Sequence, residues 1–493
     1  MTAGTALDYG FARRNGVLLL AGDQGHVGLR EGADPRALLE VRRTLGRAIE
    51  VQAMARSEFD RRLSELYAGD ALRDGTLAGD AGDASLDALA GELPASADLL
   101  DDQDDAPVIR LINGLIAEAV RQGASDIHVE PFEASLRVRL RVDGVMREVL
   151  ELPARLAPLL VSRVKVMARL DIAEKRLPQD GRISITLGQR ALDVRVSTLP
   201  ARGGERVVMR LLDKDQALLG LEELGMRPEV LQATLEALAQ PNGIVLVTGP
   251  TGSGKTTSLY ASLARLNDGS RNILTVEDPV EYAIPGIGQT QANAKVGLTF
   301  AAGLRAILRQ DPDVVMVGEI RDAETAQIAV QASLTGHLVL STVHTNDALG
   351  AVTRLRDMGI EPFLLASTLR LVLAQRLVRR LCPGCRTPRE ADAASRRLMG
   401  PNFDGVLQQA AGCPACCHTG YQGRLALYEA VRIDDRMRRA IGQQADEASM
   451  AGMAFANAPD LAGAARAAVA AGDTTVEEAL RVIRQDERSH GGV

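Results

Sequence analysis

An eight-residue segment, GPTGSGKT at Gly249–Thr256, constrains this chain more than any other feature. It matches the pattern G-x-x-x-x-G-K-[ST] at every fixed position. The apolar residues 243–248 before it predict a buried strand, and apolar residues at helical spacing over 256–266 predict a helix. Glycines let a backbone wrap around a phosphate, and a helix N-terminus directs free N–H groups at the same anion. The segment therefore predicts a nucleotide phosphate loop, although a chance glycine-rich turn shares part of the pattern.

The side chains of this loop have expected roles. Lys255 would reach the β- and γ-phosphates of ATP, and the hydroxyl of Thr256 would ligate Mg²⁺. The residues expected to hold the nucleotide are Gly249, Pro250, Thr251, Gly252, Ser253, Gly254, Lys255 and Thr256.

Composition limits the class of protein. The chain has 493 residues, enough for roughly three or four domains. Tryptophan is absent and aromatic residues total 3%, so the cores must be aliphatic. A net charge of −7 argues against a chain that coats nucleic acid. No apolar run is long enough for a transmembrane helix, and the start lacks the order of a signal peptide, so we expect a soluble cytoplasmic protein.

Changes in composition and periodicity predict four regions. Residues 1–68 show helical spacing without a chemical motif, which predicts a small helical domain that docks to a partner or serves only as a cap. Residues 69–106 hold eleven acidic residues against one arginine, which predicts a flexible acidic linker. Residues 107–238 combine an amphipathic helix with alternating strands, and residues 239–493 contain the phosphate loop and the C-terminal helices.

Three acidic residues, Glu277, Asp278 and Glu281, follow an apolar strand predicted over 271–276. In open α/β sheets ligands bind at the carboxyl ends of the strands. These carboxylates would hold Mg²⁺-bound water or polarise the attacking water. The alternative is a proline-bounded turn with surface acids, and the residues alone leave both open.

Glu319 comes just after a second apolar strand at 314–317, which is the Walker B arrangement. It is the first choice for activating the water nucleophile. A third strand is predicted before His344, which would report on the γ-phosphate or serve as a structural histidine. Arg305 and Arg309 lie four residues apart on a predicted helix, so they share a face and would contact phosphate or form surface salt bridges.

Arginines are also dense over residues 190–212, in the strands that precede the nucleotide-binding region. They would supply positive charge to the phosphates bound by another subunit, or they would form a solvated strand face. Spacing does not separate these alternatives.

All five cysteines lie between residues 382 and 417. Two C-x-x-C pairs at this spacing favour a structural tetrahedral Zn²⁺ site over a disulfide or a redox pair in a cytosolic chain. Either Cys417 or His418 could replace one ligand. The four expected ligands are Cys382, Cys385, Cys413 and Cys416.

Taken together, these motifs resemble those of the type II/IV secretion ATPases, most closely the type II secretion ATPases. The resemblance covers about residues 98–432 and is weaker beyond them. The segments that carry it are residues 124–131, 176–182, 249–257, 276–282, 311–322 and 334–346, together with the cysteine pairs.

The resemblance implies a multidomain α/β fold: a RecA-like P-loop core over 239–493, a PAS-like α/β domain over 107–238 and a zinc element over 380–425. It implies a homohexameric ATPase motor and places Thr257 at the nucleotide. It also implies a histidine box that contains His337 and His344. The arginines that it implies as phosphate contacts are Arg195, Arg210, Arg305 and Arg309.

In such motors, ATP hydrolysis moves one domain against the other, and an inner-membrane platform uses the movement to assemble a pseudopilus. The resemblance implies that residues 1–68 bind the cytoplasmic part of a platform protein, which gives peripheral association with the bacterial inner membrane. The alanine-rich segment 453–473 departs from the family's C-terminal helices, so its role stays open.

Three other functions remain open from the sequence. The type IV pilus assembly ATPases share the core, the second domain and the cysteine pairs. A nucleotide-gated scaffold would bind ATP with little turnover. A P-loop kinase would need an acceptor pocket with its own base and no second domain that contributes arginines.

Overall fold

The structure, a computed structural model, describes residues 7, 11–12, 15–20, 26–56, 58–59, 62, 86–91, 93, 106–187, 190–213, 219–400, 403, 405–481 and 483. The chain divides into two compact units, Met1–Asp215 and Gln216–Val493. Across the described ranges, every helix is too short or too polar to cross a lipid bilayer.

The N-terminal region contains a small sheet as well as the expected helix. Its strands are in the order β1-β2-β3, with β1 and β2 antiparallel and β2 and β3 parallel. The fully buried Phe59 packs in one cluster with Val166 of the following domain, so the region is not detached from it. The bounds are β1 Val17–Leu19, β2 His26–Arg30, α1 Ala37–Leu45 and β3 Glu50–Met54.

Part of the segment predicted to be a flexible linker is helical. Helix α2 spans Leu86–Gly91, and its Leu89, 6% exposed, joins the core that packs around helix α3, Ala106–Arg121. The apolar face of this short helix consists of Leu86, Leu89 and Ala90, which is too few residues to stand out in an acidic segment. Residues 69–85, 92 and 94–105 of the predicted linker lie outside the described residues.

A six-stranded antiparallel sheet forms the rest of the first unit, in the order β6-β5-β4-β9-β8-β7. One face packs against α3 and α4 in a single aliphatic core. The other face carries charged residues, because strand side chains alternate between faces. The bounds are β4 Ala124–Pro131, β5 Ser135–Val142, β6 Val145–Pro153, α4 Ala157–Met167, β7 Gln179–Leu187, β8 Arg190–Ala201 and β9 Gly204–Asp213.

The second unit is built on a seven-stranded sheet in the order β12-β11-β13-β14-β10-β15-β18. Its strand pairs are parallel except for β15 with β18. A separate two-stranded pair, β16 with β17, accompanies the cysteines. The bounds are β10 Gly243–Thr248, β11 Ile273–Glu277, β12 Gly288–Gln291, β13 Val314–Val317, β14 Leu338–Val343, β15 Leu369–Leu381, β16 Thr387–Arg389, β17 Leu407–Gln409 and β18 Tyr421–Arg432.

Helices cover both faces of this sheet. The central strand β10 is buried on both sides: Ile244 and Leu246 enter one core, and Val245 and Val247 enter the other. The helix bounds are α5 Pro228–Leu238, α6 Lys255–Leu266, α7 Phe300–Ile307, α8 Ala323–Leu334, α9 Ala348–Asp357, α10 Pro362–Thr368, α11 Ala393–Met399, α12 Asp435–Gly442, α13 Glu447–Ala454 and α14 Leu461–Ala470.

The domain boundary differs from the one expected at residue 238. The split falls after residue 215, and α5 belongs to the second unit. Its buried residues Val230 and Leu238 pack in the same core as the central strand β10. The hydrophobic face of α5 therefore assigns this helix to the second unit. The sequence alone does not show which core that face packs against.

Aspartate side chains begin several helices by accepting a hydrogen bond from a backbone N–H in the first turn. This interaction satisfies a donor that the helix itself cannot pair. Asp347 caps α9 in this way and Asp460 caps α14. The expected last helix is present from residue 476, and the N–H of Glu478 donates to Thr475 Oγ1 at 3.3 Å.

Candidate active site

The phosphate loop joins the carboxyl end of β10 to α6, as the motif predicts. Gly249, Gly252 and Gly254 have φ values of +143°, +80° and +88°, a region that residues with a Cβ rarely adopt. A side chain at Gly249 would also overlap the backbone carbonyl oxygen of Gln375. Thr256 and Thr257 are exposed at the start of α6. The loop thus presents the helix N-terminus and two hydroxyl groups to solvent.

Lys255 folds back onto its own loop. Its Nζ donates to the carbonyl oxygens of Gly249 at 2.7 Å and Pro250 at 3.0 Å. Burial lowers the pKa of Lys255 to about 8; the charge of Glu319 opposes this shift, and the charge of Arg376 adds to it. A phosphate anion bound beside Lys255 would therefore stabilise the charged form of its side chain.

Glu319 lies two residues beyond β13, which is separated from β10 by β14. One carboxylate oxygen pairs with Arg321, and the other lies 3.0 Å from His344 Nε2. Burial alone would raise the pKa of Glu319, but Arg321 and His344 together lower it below its usual range. The side chain is only 14% exposed, so this is a partly buried anion close to the phosphate loop.

The loop that follows β14 carries His344 and connects several strands. Thr345 Oγ1 lies 2.6 Å from Thr248 Oγ1 at the end of β10. Asn346 Oδ1 accepts a hydrogen bond from Arg376 Nη2 at 3.2 Å. His337, the other histidine of the expected box, precedes β14, and its Nδ1 lies 2.8 Å from the carbonyl oxygen of Ala332. Since β14 runs parallel to β10, His337 lies at the amino ends of these strands, and the phosphate loop lies at their carboxyl ends.

Glu277 sits in a buried hydrogen-bond network instead of facing solvent. Tyr260 of the phosphate-loop helix and Thr275 both donate to its carboxylate, and Gln289 Nε2 donates at 3.1 Å. The residue is 3% exposed. This arrangement favours a structural role in which Glu277 ties β11 to α6.

The other two acidic residues after β11 are more accessible. Asp278 is exposed and Glu281 is half-buried, and the N–H of Glu281 donates to Tyr260 Oη at 3.3 Å. Of the three acids, these two have carboxylates that can face a ligand.

Several residues of this site carry no sequence motif. Gln375 and Arg376 are both 2% exposed and lie on β15, which pairs with β10 on the side opposite β14. Gln375 Oε1 accepts from Ser258 Oγ of α6 at 2.8 Å. Arg321 pairs with Glu319 and lies 5.8 Å from the centre of the Phe300 ring. The sequence signal that could have indicated Arg376 as a site residue is its place just after the apolar run 371–374.

The four arginines that the resemblance singles out have different settings. Arg305 pairs with Glu324 at 2.6 Å, as in the surface ion-pair alternative, and Arg309 Nη1 donates to the carbonyl oxygen of Arg305 at 2.9 Å. Helix α7 ends at Ile307, so Arg309 lies just beyond it. In the first unit, Arg195 faces Arg210 across β8 and β9, and Arg210 Nε donates to Asp126 at 2.9 Å.

The four cysteines of the two C-x-x-C pairs converge, with all four sulfur atoms within 4.8 Å of one another. The Cys382–Cys413 and Cys385–Cys416 sulfurs are 3.9 and 3.8 Å apart. A tetrahedral Zn²⁺ with Zn–S bonds of about 2.3 Å requires sulfur separations of about 3.8 Å. The cluster therefore fits zinc, and it includes neither Cys417 nor His418.

Comparisons with known proteins identify the family of this chain. A family model described as "Type II/IV secretion system protein" matches residues 101–481, and a model of an N-terminal domain of "GSPII protein E" matches residues 6–67. Type II secretion system protein E of Pseudomonas aeruginosa is 56% identical over 485 residues, 97% of this chain and 96% of that protein. Type II secretion system ATPase E of Vibrio cholerae is 55% identical over 453 residues, 91% of this chain and 90% of that protein.

Solved structures show the same fold. The pilus retraction motor PilT, determined with bound ADP, has a TM-score of 0.50 and 26% identity, and covers 76% of this chain and 98% of its own. The Legionella pneumophila ATPase DotB has a TM-score of 0.55 and 21% identity over 76% of this chain and 95% of its own. The chain belongs to the type II/IV secretion system protein family.

Proposed function

We propose that this chain is the ATP-hydrolysing motor of a type II secretion system. The observation that carries the proposal is the convergence of the Lys255 loop, Glu319 and His344 at one edge of a parallel sheet. Relatives at 56% and 55% identity are named as type II secretion proteins, one of them as an ATPase.

Hydrolysis requires a water molecule in line with the γ-phosphate and compensation of the charge that spreads over the phosphate oxygens. Lys255 would exchange its two carbonyl partners for the β- and γ-phosphates. The low pKa of Glu319 keeps it ionised at neutral pH, so it would accept a hydrogen bond from the water and orient it. Both of its oxygens are engaged by Arg321 and His344, so we infer that one of these contacts opens when nucleotide binds.

Mg²⁺ would neutralise part of the phosphate charge. The exposed hydroxyl of Thr256 and the exposed carboxylate of Asp278 fit a role in holding it, directly or through water. Glu281 fits the same role. Glu277 fits it less well, because its carboxylate is already bonded to Tyr260, Thr275 and Gln289.

We propose a homohexamer in which arginines complete the nucleotide site. Arg195, Arg210, Arg305 and Arg309 are the candidates, and their present partners, such as Asp126 and Glu324, would be exchanged for phosphate. Residues 1–68 would bind the cytoplasmic part of an inner-membrane platform protein and so hold the motor at the inner face of that membrane.

The cysteine cluster would hold one structural zinc ion. It lies where β15 ends, and the N–H groups of Gly412 and Gly420 donate to cluster sulfurs at 3.3 and 3.2 Å. Amide donors of this kind stabilise thiolate ligands. Four thiolates leave no open coordination position, so the zinc would not act in catalysis.

A type IV pilus assembly ATPase is the second candidate, because PilT, a motor of pili, shares the fold at 26% identity. The scaffold alternative predicts little ATP turnover, and the kinase alternative predicts none without an acceptor. The proposal is tested in a strain that lacks this chain, by measuring the export of type II substrates and the phosphate release of the purified protein. Wild type should restore export and Lys255→Ala should not. Restoration of pilus assembly without export would favour the second candidate.

A further inference from the structure

Glu429 is a buried carboxylate that the nucleotide site does not use directly. It lies in β18, the strand next to β15, and is 4% exposed. Its Oε1 accepts a hydrogen bond from the N–H of Ala348 at 2.9 Å, and its Oε2 accepts one from the N–H of Leu461 at 3.0 Å. These residues are the first of helices α9 and α14, so one side chain joins two helix N-termini.

One of these bonds ends at the loop that carries His344. Three successive residues of that loop contact residues in or just after different strands: His344 contacts Glu319, Thr345 contacts Thr248, and Asn346 contacts Arg376. Helix α9 begins two residues after Asn346, and the N–H of its first residue is held by Glu429. Glu429 therefore fixes the end of the loop that leads into α9.

The other bond ends at a part of the chain remote in sequence from the nucleotide motifs. Leu461 begins α14, the alanine-rich helix whose buried residues pack in the same core as α9. Asp347 and Asp460 cap the same two helices through their own side chains, so each helix could begin without Glu429. Holding both helices to one carboxylate is thus an addition to ordinary capping.

A buried carboxylate is a costly way to add stability. Burial raises the pKa of Glu429 to about 7 against the opposing bonds from Ala348 and Leu461, and the charges of Asp347 and Asp460 add to the rise. Burial of the charged form therefore costs free energy, which the two backbone hydrogen bonds offset only in part. The position of Glu429 beside the His344 loop points to a role in addition to stability.

We propose that Glu429 is a positioning residue for ATP hydrolysis, which holds the His344 loop in register with Glu319 and couples it to helix α14. The proposal rests on the proposed function. It makes the C-terminal helices a part of the chain that can alter hydrolysis without contacting the nucleotide. Movement of α14 would pull on Ala348 through a single side chain and shift His344 against Glu319.

The first test is Glu429→Gln in the assembled protein. A glutamine has nearly the same volume but one acceptor oxygen, so it can keep only one of the two bonds. Misplacement of a catalytic group costs up to about a hundredfold in rate, and we expect kcat to fall at least about tenfold. KM for ATP should stay within about twofold, because the phosphate loop is untouched. The matched control is Glu236→Gln. It removes the half-exposed carboxylate of Glu236 in α5, which pairs with Arg432 of β18, the strand that also carries Glu429.

The second test removes the donor from the other side of the same bond. Ala348→Pro deletes one N–H at the first residue of a helix, where proline is tolerated, and the preceding Asp347 has an extended backbone that suits it. We expect the same fall in kcat as for Glu429→Gln, and no further fall in the double variant. This test remains informative if the glutamine variant fails to fold.

The outcomes separate the proposal from its alternatives. Unchanged kcat in Glu429→Gln, or losses that multiply in the double variant, would overturn the positioning role. A fall in kcat accompanied by a rise in KM for ATP and a loss of thermal stability would assign Glu429 to the fold alone. That result would also overturn the positioning role. If wild type shows no ATP turnover in any assembly, the proposed function itself fails.

Discussion

Binding of a nonhydrolysable ATP analogue at pH 8 should be accompanied by uptake of protons by Lys255. In the free protein its Nζ is bonded to two carbonyl oxygens, and burial lowers its pKa from 10.5 to about 8. The difference corresponds to about 3 kcal/mol that favours the neutral amine. At pH 8 about half of the sites are therefore neutral, and at pH 7 about a tenth are.

A bound triphosphate places negative charge beside the amine and brings its pKa back above the assay pH. We expect uptake of about half a proton per site at pH 8, and affinity that falls by up to about tenfold per pH unit above pH 8. Calorimetry in two buffers with different ionisation enthalpies measures the uptake. Lys255→Arg is the control, because a guanidinium stays charged throughout this range. Equal proton uptake in wild type and Lys255→Arg would refute the reasoning.

The remaining predictions concern the cysteine cluster, Glu429 and assembly. Purified protein should contain about one zinc per chain; metal analysis should find it lost in Cys382→Ser and kept in Cys417→Ser, and loss in both would contradict the assignment. The raised pKa of Glu429 contributes stability that is present below pH 4.5 and is lost as pH rises through about 7. The free energy of unfolding of wild type should therefore fall by about 3 kcal/mol relative to that of Glu429→Gln across this interval. A difference in denaturant midpoints that stays constant with pH would contradict this prediction. ATP turnover per chain should fall on dilution below the assembly concentration, and a fully active monomer would remove the need for arginines from another copy.

Local motifs made much of the nucleotide site predictable. The phosphate loop, the strand before Glu319 and the convergence of the four cysteines each depend on residues close in sequence. The sheet order β13-β14-β10 then places Glu319 and His344 beside the loop, as ligand binding at strand ends anticipates.

Other features depend on contacts that a single sequence does not reveal. Arg376 lies beside the site because β15 lies next to β10 in the sheet, although the two strands are far apart along the chain. Glu429 contacts the start of α9, after the His344 loop, from β18, which lies next to β15. Glu277 has the spacing of a catalytic acid, but Tyr260 and Gln289 enclose it. The strands of the N-terminal sheet are only three to five residues long, which is too short for an alternating pattern to predict them.

The most direct test of the central claim is phosphate release by assembled wild type and Glu319→Gln at saturating ATP and Mg²⁺. Glutamine keeps the size of the side chain but removes the charge that orients water beside Lys255. The account predicts that both proteins bind nucleotide and that the variant releases phosphate at least about a hundredfold more slowly. Equal rates in the two proteins would contradict the assignment of Glu319 and, with it, the proposed site of hydrolysis.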